Sequence, residues 1–341
     1  MSGTIGAAIG LVLLGGFLQG SFALPMKRMP RWRWENTWLV YSTAGMLVLP
    51  WIMVFLTVPH LGRVLGSAPG AVIAEVVLFG FGWGVGSTLF GLGISRVGMA
   101  LTFAIVLGIT ASLGSLLPLA VLHPDQLFTR QGYLLMAGLA IVVLGIVVCS
   151  LAGHRREREL SSQTAQCGGA GFWLGLVICI LSGIFSAMLN FSFVFGKDLQ
   201  QATLGAGASA AMSSNVIWAL ALSAGFLANA GYCLYLLQKN RTWGVLTQDD
   251  VSVNYWLGAI LMGVVWFFGI AFYGMGATGL GTLGAVLGWP VFMAMNITTA
   301  NVWGALTGEW KGASRRTCAY SWAGVLVLFV AIYVISQATA L

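Results

Sequence analysis

Charge is what this sequence has least of: Asp, Glu, Lys and Arg together supply 7% of its 341 residues. A soluble domain carries roughly a quarter. So small a share cannot cover a water-facing surface of this size, so lipid must be the solvent for most of the exterior. Histidine is almost absent as well. His60, His123 and His154 all fall between apolar runs, and none pairs with a candidate nucleophile. The five cysteines (Cys149, Cys167, Cys179, Cys233 and Cys318) contain no C-x-x-C pair, and four lie in or beside apolar runs, which reads as buried thiols. There is no phosphate loop, dinucleotide fingerprint or cluster of metal-ligand types. No cofactor or metal is therefore expected, and an enzyme is disfavoured. The net charge of +7 sits almost wholly in short gaps between apolar runs, so it reads as a topology signal and not as a nucleic-acid surface.

What the sequence has in quantity is apolar residues, at 58%, with 47 Gly and 14 Trp. Glycine lets membrane helices approach closely, and tryptophan collects at membrane–water interfaces. A span needs roughly 20 mainly apolar residues. Ten stretches qualify: 3–24, 37–58, 72–94, 98–121, 132–152, 171–195, 208–236, 255–275, 280–306 and 317–338. The expected fold is an all-α integral membrane protein. The first stretch lacks a preceding basic region and a convincing small-residue cleavage site, so it is kept as a helix and not a signal peptide. Helices three and four meet at a tight turn over 94–98. Residues 154–170 read as a linker between a first five-helix unit, 1–153, and a second, 171–341. No soluble domain fits between the spans.

Thirteen of the sixteen Lys and Arg fall in the gaps after helices one, three, five, seven and nine. The positive-inside rule makes those gaps cytoplasmic and puts both termini outside, in a multi-pass protein of a bacterial inner membrane.

The chain also resembles itself. At an offset of 183 residues, Trp83, Gly86, Phe90, Gly91, Gly93 and Gly98 fall on Trp266, Gly269, Tyr273, Gly274, Gly276 and Gly281. At 186, Arg130, Ala137, Gly138 and Ser150 fall on Arg316, Ala323, Gly324 and Ser336. Five helices is an odd number, so the second unit enters the membrane from the opposite side. That predicts an inverted repeat, the architecture that supports alternating access around a midplane site.

Glu75 is the carboxylate inside an apolar run, about two turns into helix three. It reads either as an ion-coupling site with its acid desolvated or as a carboxylate near the outer interface that reaches water. Neutral groups are the natural partners of a sugar, whose hydroxyls meet amides and whose C–H faces meet aromatic rings. The candidates are Gln19 and Ser21 in helix one, Trp83 and Ser87 in helix three, and Asn190 in helix six. Asn215 and Trp218 follow in helix seven, and Trp289, Asn296 and Asn301 in helix nine, which Pro290 interrupts. For any one of them an interhelical hydrogen bond is the plainer reading; as a set they favour a polar cavity. Small-residue spacings such as Gly80–Gly84 and Gly284–Gly288 read as packing within the chain. The segment Lys27, Arg28, Arg31 and Arg33 reads as a topology and headgroup signal, with a salt bridge to Glu35 as the lesser alternative.

Several short segments together resemble the L-rhamnose–proton symporter family of the drug/metabolite transporter superfamily. They are Pro25-Met-Lys-Arg, Trp32-x-Trp34-Glu35-x-x-Trp38, Leu49-Pro50-Trp51, Trp83-Gly-x-Gly, Gly91-Leu92, Arg96-x-Gly98-Met99, Gly108-Ile109-Thr110, Gly183-Ile-Phe-Ser-Ala187 and Glu309-Trp310-x-x-x-x-Arg315-Arg316. They run in order along almost the whole chain. The resemblance implies ten helices as two inverted five-helix repeats, and uptake of L-rhamnose or a related deoxy sugar driven by a proton or other monovalent cation. A monomer in the bilayer is expected. The chain departs from the resemblance over Thr282–Gly288, almost entirely apolar where polar and acidic groups are expected. An exporter or exchanger of another small metabolite, such as an amino acid or amphipathic compound, is the rival from the same superfamily. A membrane enzyme or sensor without transport is the rival from another class.

Overall fold

The computed structural model describes residues 2–97, 99–160, 170–247 and 253–339, and among these the chain is helical with no strand. The α-helices are α1 (Ser2–Ser21), α2 (Trp34–Ser42), α3 (Leu49–Thr57), α4 (Leu61–Ser67), α5 (Gly70–Val97), α6 (Met99–Leu122), α7 (Arg130–Leu160), α8 (Ala170–Phe195), α9 (Lys197–Gly205), α10 (Asn215–Asn240), α11 (Val253–Gly279), α12 (Gly284–Leu306) and α13 (Arg315–Thr339). They make ten segments long and apolar enough to cross a bilayer among the described residues, with α2 and α3 forming one of them. A chain surrounded by lipid must satisfy its backbone groups internally, and long helices do so.

The α2–α3 span is continuous because Thr43–Val48 form a π-helical stretch just ahead of Pro50. Proline has no N–H to return, and the wider stretch accommodates that loss without a break. Short helices α4 and α9 pack on each other at the end of the molecule that carries the chain termini. The opposite end carries the loops after α1, α5, α7, α10 and α12, and is called the basic end below.

One boundary differs from expectation. α7 runs to Leu160, so residues 154–160 extend the helix instead of opening a linker; residues 161–169 lie outside the described residues. The extension is held by its own charges. Arg156 pairs with Glu309 at 3.2 Å, and Glu159 accepts hydrogen bonds from the Ser314 amide at 2.6 Å and the Thr317 hydroxyl at 2.6 Å.

Packing follows a definite pattern. α5 lies along α8, and α1 along α11. α1 also packs on α12 and α6 on α8. α7 lies along α13. The closest approaches are made by glycine. A Cβ on Gly80 would stand 2.2 Å from the Ala221 carbonyl oxygen, and one on Gly84 2.4 Å from that of Gly225. The Gly80–Gly84 spacing is thus an internal seam between α5 and α10. α12 is the most enclosed span, with 72% of its most apolar window buried. Burial accounts for the apolar residues Gly284 to Gly288, whose two glycines face Ala277, Tyr273 and Val12.

Candidate functional site

Two layers of side chains cross the middle of the bundle. The layer nearer the termini end is sealed. Asn190, Trp218, Tyr273, Trp289, Phe193 and Phe292 are all buried, Trp218 completely. Phe193 stacks on Trp218 at 5.2 Å and Trp289 on Phe292 at 5.6 Å, while Tyr273 touches all four rings. Asn190 pins three helices: its Oδ1 accepts from the Tyr273 hydroxyl at 2.5 Å, and its Nδ2 donates to the Gly114 carbonyl at 2.7 Å. Trp289 Nε1 donates to the Thr110 carbonyl at 3.1 Å. Asn215, one turn before Trp218, donates to the Thr57 hydroxyl at 2.9 Å. Two buried atoms here, Trp218 Nε1 and Ser214 Oγ, have no hydrogen-bond partner among the described residues. Both face Gly274, where a Cβ would stand 2.5 and 2.8 Å from them.

The layer nearer the basic end is different in kind. Trp83 stacks on Trp266, with centroids 5.5 Å apart and planes 26° from parallel. Each stands midway along its helix, α5 of 28 residues and α11 of 27. Gln19 reaches Trp266 from α1. With its amide oxygen turned towards the indole it accepts from Trp266 Nε1 at 2.5 Å and donates to the Trp266 carbonyl at 3.2 Å. Asn229 on α10 is the second organiser. Its Oδ1 accepts from Trp38 Nε1 and from the Ser87 hydroxyl, each at 3.1 Å, and its Nδ2 donates to the Gly225 carbonyl at 3.0 Å. Gln19, Trp38, Trp83 and Ser87 are half-buried, so this layer is more accessible than the first. Trp38 continues towards the basic end by stacking on Trp34 at 4.9 Å.

The structure therefore divides the expected residues. Gln19, Trp83 and Ser87 come together. Asn190, Asn215, Trp218 and Trp289 come together elsewhere, as pins and rings of the sealed layer. Asn296 is half-buried on α12 with its backbone against Gly16 and Gly20 of α1. Glu75 joins neither layer: it is exposed on α5, eight residues from Trp83, among exposed Ala74, Val77 and Leu78. Eight residues of helix is about 12 Å along the axis. Glu35 is buried at the start of α2 and held by neutral donors, Asn240 Nδ2 and Thr242 Oγ1, each at 2.9 Å. Two residues of the more accessible layer, Asn229 and Trp38, were not expected in it. Trp38 stands in a quoted motif, but Asn229 has no spacing partner that marks it.

The arrangement offers a flat aromatic surface beside neutral amides and a hydroxyl. That suits a neutral, hydroxyl-rich solute, since amides and hydroxyls both donate and accept while a ring face covers C–H bonds. Among the described residues no His, Cys, Asp and Glu group could hold a metal.

Residues 1–340 match the family model described as L-rhamnose-proton symport protein. The chain is 26% identical over 334 residues, 96% of each chain, to the L-rhamnose-proton symporter of Yersinia pestis (strain Pestoides F). It is 26% identical over 346 aligned positions, 100% of this chain and 99% of the relative, to the L-rhamnose-proton symporter of Cronobacter sakazakii (strain ATCC BAA-894).

Proposed function

The chain belongs to the L-rhamnose-proton symport family, and on that premise we propose that it takes up L-rhamnose or a related deoxy sugar across a bacterial inner membrane by alternating access, coupled to a proton or another monovalent cation. It is a transporter and not an enzyme. The observation that carries the sugar reading is the layer at the middle of the bundle in which half-buried Trp83, Gln19 and Ser87 meet buried Trp266 and Asn229. The sealed aromatic layer above it is the closed side, so this conformation faces the basic end. By the distribution of Lys and Arg that end is the cytoplasm.

The inverted repeat, with units 1–153 and 171–341, is supported by reciprocal contacts. Gly138 of α7 faces Ile335 of α13, where a Cβ would stand 2.3 Å from the isoleucine. Shifted by 186 residues, the same contact is Gly324 of α13 against Cys149 of α7, at 2.5 Å. The pairings α5 with α8 and α1 with α11 exchange under the same operation, as do α6 with α8 and α1 with α12. Glu75, exposed on the rim, is best read as a carboxylate reaching interfacial water. A monomer suffices, because both layers are built within one chain.

The deciding experiment is thermal stabilisation of the purified protein by L-rhamnose, other deoxy sugars, pentoses and amino acids at two pH values. A bound ligand raises the melting temperature with concentration. A shift with L-rhamnose or a close relative sustains the reading. A shift with an amino acid and none with a sugar replaces it by the exchanger of another metabolite.

A further inference from the structure

The ends of α7 and α13 form an open cleft at the basic end, about 450 Å³, bordered by Arg155, Arg158, Glu159, Ser314, Arg316 and Thr317. Three guanidinium groups in so small a space repel one another unless a negative charge joins them. Glu159 is the one acid in that lining, so three positive charges face one negative and an excess of positive charge remains. Glu159 has both oxygens engaged at the start of α13, by the Ser314 amide and hydroxyl and the Thr317 hydroxyl. Glu309 is engaged by Lys27 and by Arg156. Residues 161–169, which follow α7 in the sequence, contain no Asp or Glu. Arg155 lies 4.1 Å over the ring of Tyr320, which fixes its guanidinium at the cleft wall. The arginine fork matches the oxygen geometry of a phosphate group better than any other side chain does.

Below this basic rim, towards the middle of the membrane, the same two helices expose apolar side chains: Leu151 on α7, 55% accessible, and Trp322 and Leu326 on α13, 53% and 65%. Leu151 stands one turn from Arg155 on the same face of α7. A charged pocket therefore sits directly over an apolar surface.

We propose that this cleft binds the phosphate of an anionic phospholipid, whose acyl chains lie along the exposed faces of α7 and α13. Basic pockets between membrane helices at the cytoplasmic face take anionic headgroups for the same reason. A free phosphate-bearing solute shares the headgroup chemistry but makes no use of the apolar surface. The site is separate from the sugar layer and stands whether or not the sugar assignment does.

The test uses the full chain purified in a neutral detergent. Retention of added dioleoyl phosphatidylglycerol and dioleoyl phosphatidylcholine is measured by native mass spectrometry, and melting temperature is followed with each lipid and with inorganic phosphate. The phosphatidylglycerol is expected to be retained in preference and to raise the melting temperature, with phosphatidylcholine and phosphate doing neither. Near a membrane surface each arginine contributes roughly fivefold in affinity, so R155Q, R158Q and R316Q should each weaken retention and the triple variant abolish the preference. R63Q/R130Q, which removes two charges at the other end, should keep it. If the triple variant does not fold, the wild type still decides: its preference must fade as salt is raised. Equal retention of the two lipids, a preference that survives in the triple variant, or stabilisation by phosphate alone would each overturn the lipid assignment, the last in favour of a soluble anion.

Discussion

Trp83 and Trp266 lie 183 residues apart in sequence and stack on one another at 5.5 Å in the centre of the molecule. They are also the pair that internal similarity places at equivalent positions of the two halves. On the inverted repeat proposed above, equivalent residues touch only where the relating axis passes between them, so the proposal puts that axis at this stack. The first prediction concerns this pair. Replacing Trp83 by Ala removes a ring face from the more accessible layer and should weaken sugar binding about tenfold or more, whereas Trp83→Phe should keep most of it, since aromatic stacking contributes roughly 1 kcal/mol beyond burial. Trp266→Ala should lose binding and also stability, because Gln19 loses its indole donor and keeps only the backbone carbonyl as a partner. Calorimetric titration with L-rhamnose, alongside melting curves, separates the two effects.

Asn229 holds two donors from two other helices with a single oxygen. Asn229→Ala leaves Trp38 Nε1 and the Ser87 hydroxyl without that acceptor. Each unsatisfied group costs about 1–3 kcal/mol if it stays buried, less here because both side chains are only half-buried. We expect a lower melting temperature and roughly tenfold weaker sugar binding. In a double-mutant cycle with Trp38→Phe the two changes should be strongly non-additive, since they break the same bond. Additivity would mean that Asn229 does not position Trp38.

The ten spans were legible because lipid forces a run of about 20 apolar residues wherever a helix crosses. Gln19, Trp83 and Ser87 stand out in the sequence as polar or aromatic groups inside such runs; that they meet a substrate is the proposal. The sorting of candidates into two layers was not legible. Asn190 and Gln19 look alike in sequence, each an amide in an apolar helix. One donates to Gly114 and accepts from Tyr273 in a sealed interior; the other is half-buried. Which of these happens depends on how α1, α8 and α11 converge, and no single helix's periodicity carries that. Asn229 escaped because its partners come from α2 and α5. The helical length of α7 escaped because its last two turns are charged, and their partners, Glu309 and Ser314, lie more than 150 positions away.

Glu75 gives the sharpest test of the coupling question. Its exposed position on α5 predicts that Glu75→Gln leaves both concentrative uptake and exchange close to wild type. Counterflow and proton-driven uptake in vesicles measure the two separately. Loss of accumulation with exchange retained would restore Glu75 as the coupling group.

At the basic end, Glu309 joins Lys27 in the loop after α1 to Arg156 at the end of α7. Burial alone raises the acid's pKa, but the hydrogen bonds and charges of Lys27 and Arg156 outweigh it, and the carboxyl titrates below its usual 4.5. A lowered carboxylate pKa stabilises the fold above the unfolded value and loses that contribution as pH falls through the folded one. Glu309→Gln should therefore lower the melting temperature at neutral pH, by an amount equivalent to roughly 1 kcal/mol at most because the pair is partly exposed. The gap to wild type should narrow as pH drops below 4.5. A gap independent of pH would assign the effect to packing.

The asymmetry between the layers predicts asymmetric access. Ser87 is half-buried in the more accessible layer, and Asn190 is fully buried beneath the rings of the other. In a cysteine-free background, Ser87→Cys should react with a charged, membrane-impermeant maleimide from the side of the basic loops and not from the side of the termini. Asn190→Cys should react from neither. Right-side-out and inside-out vesicles present the two faces in turn. Adding sugar should slow the reaction at Ser87→Cys, because a solute lying against Trp83 and Asn229 covers it. Labelling of Ser87→Cys from the terminal side alone would mean that the aromatic layer opens in the membrane. It would make the closed layer one state of an equilibrium that already favours its opposite.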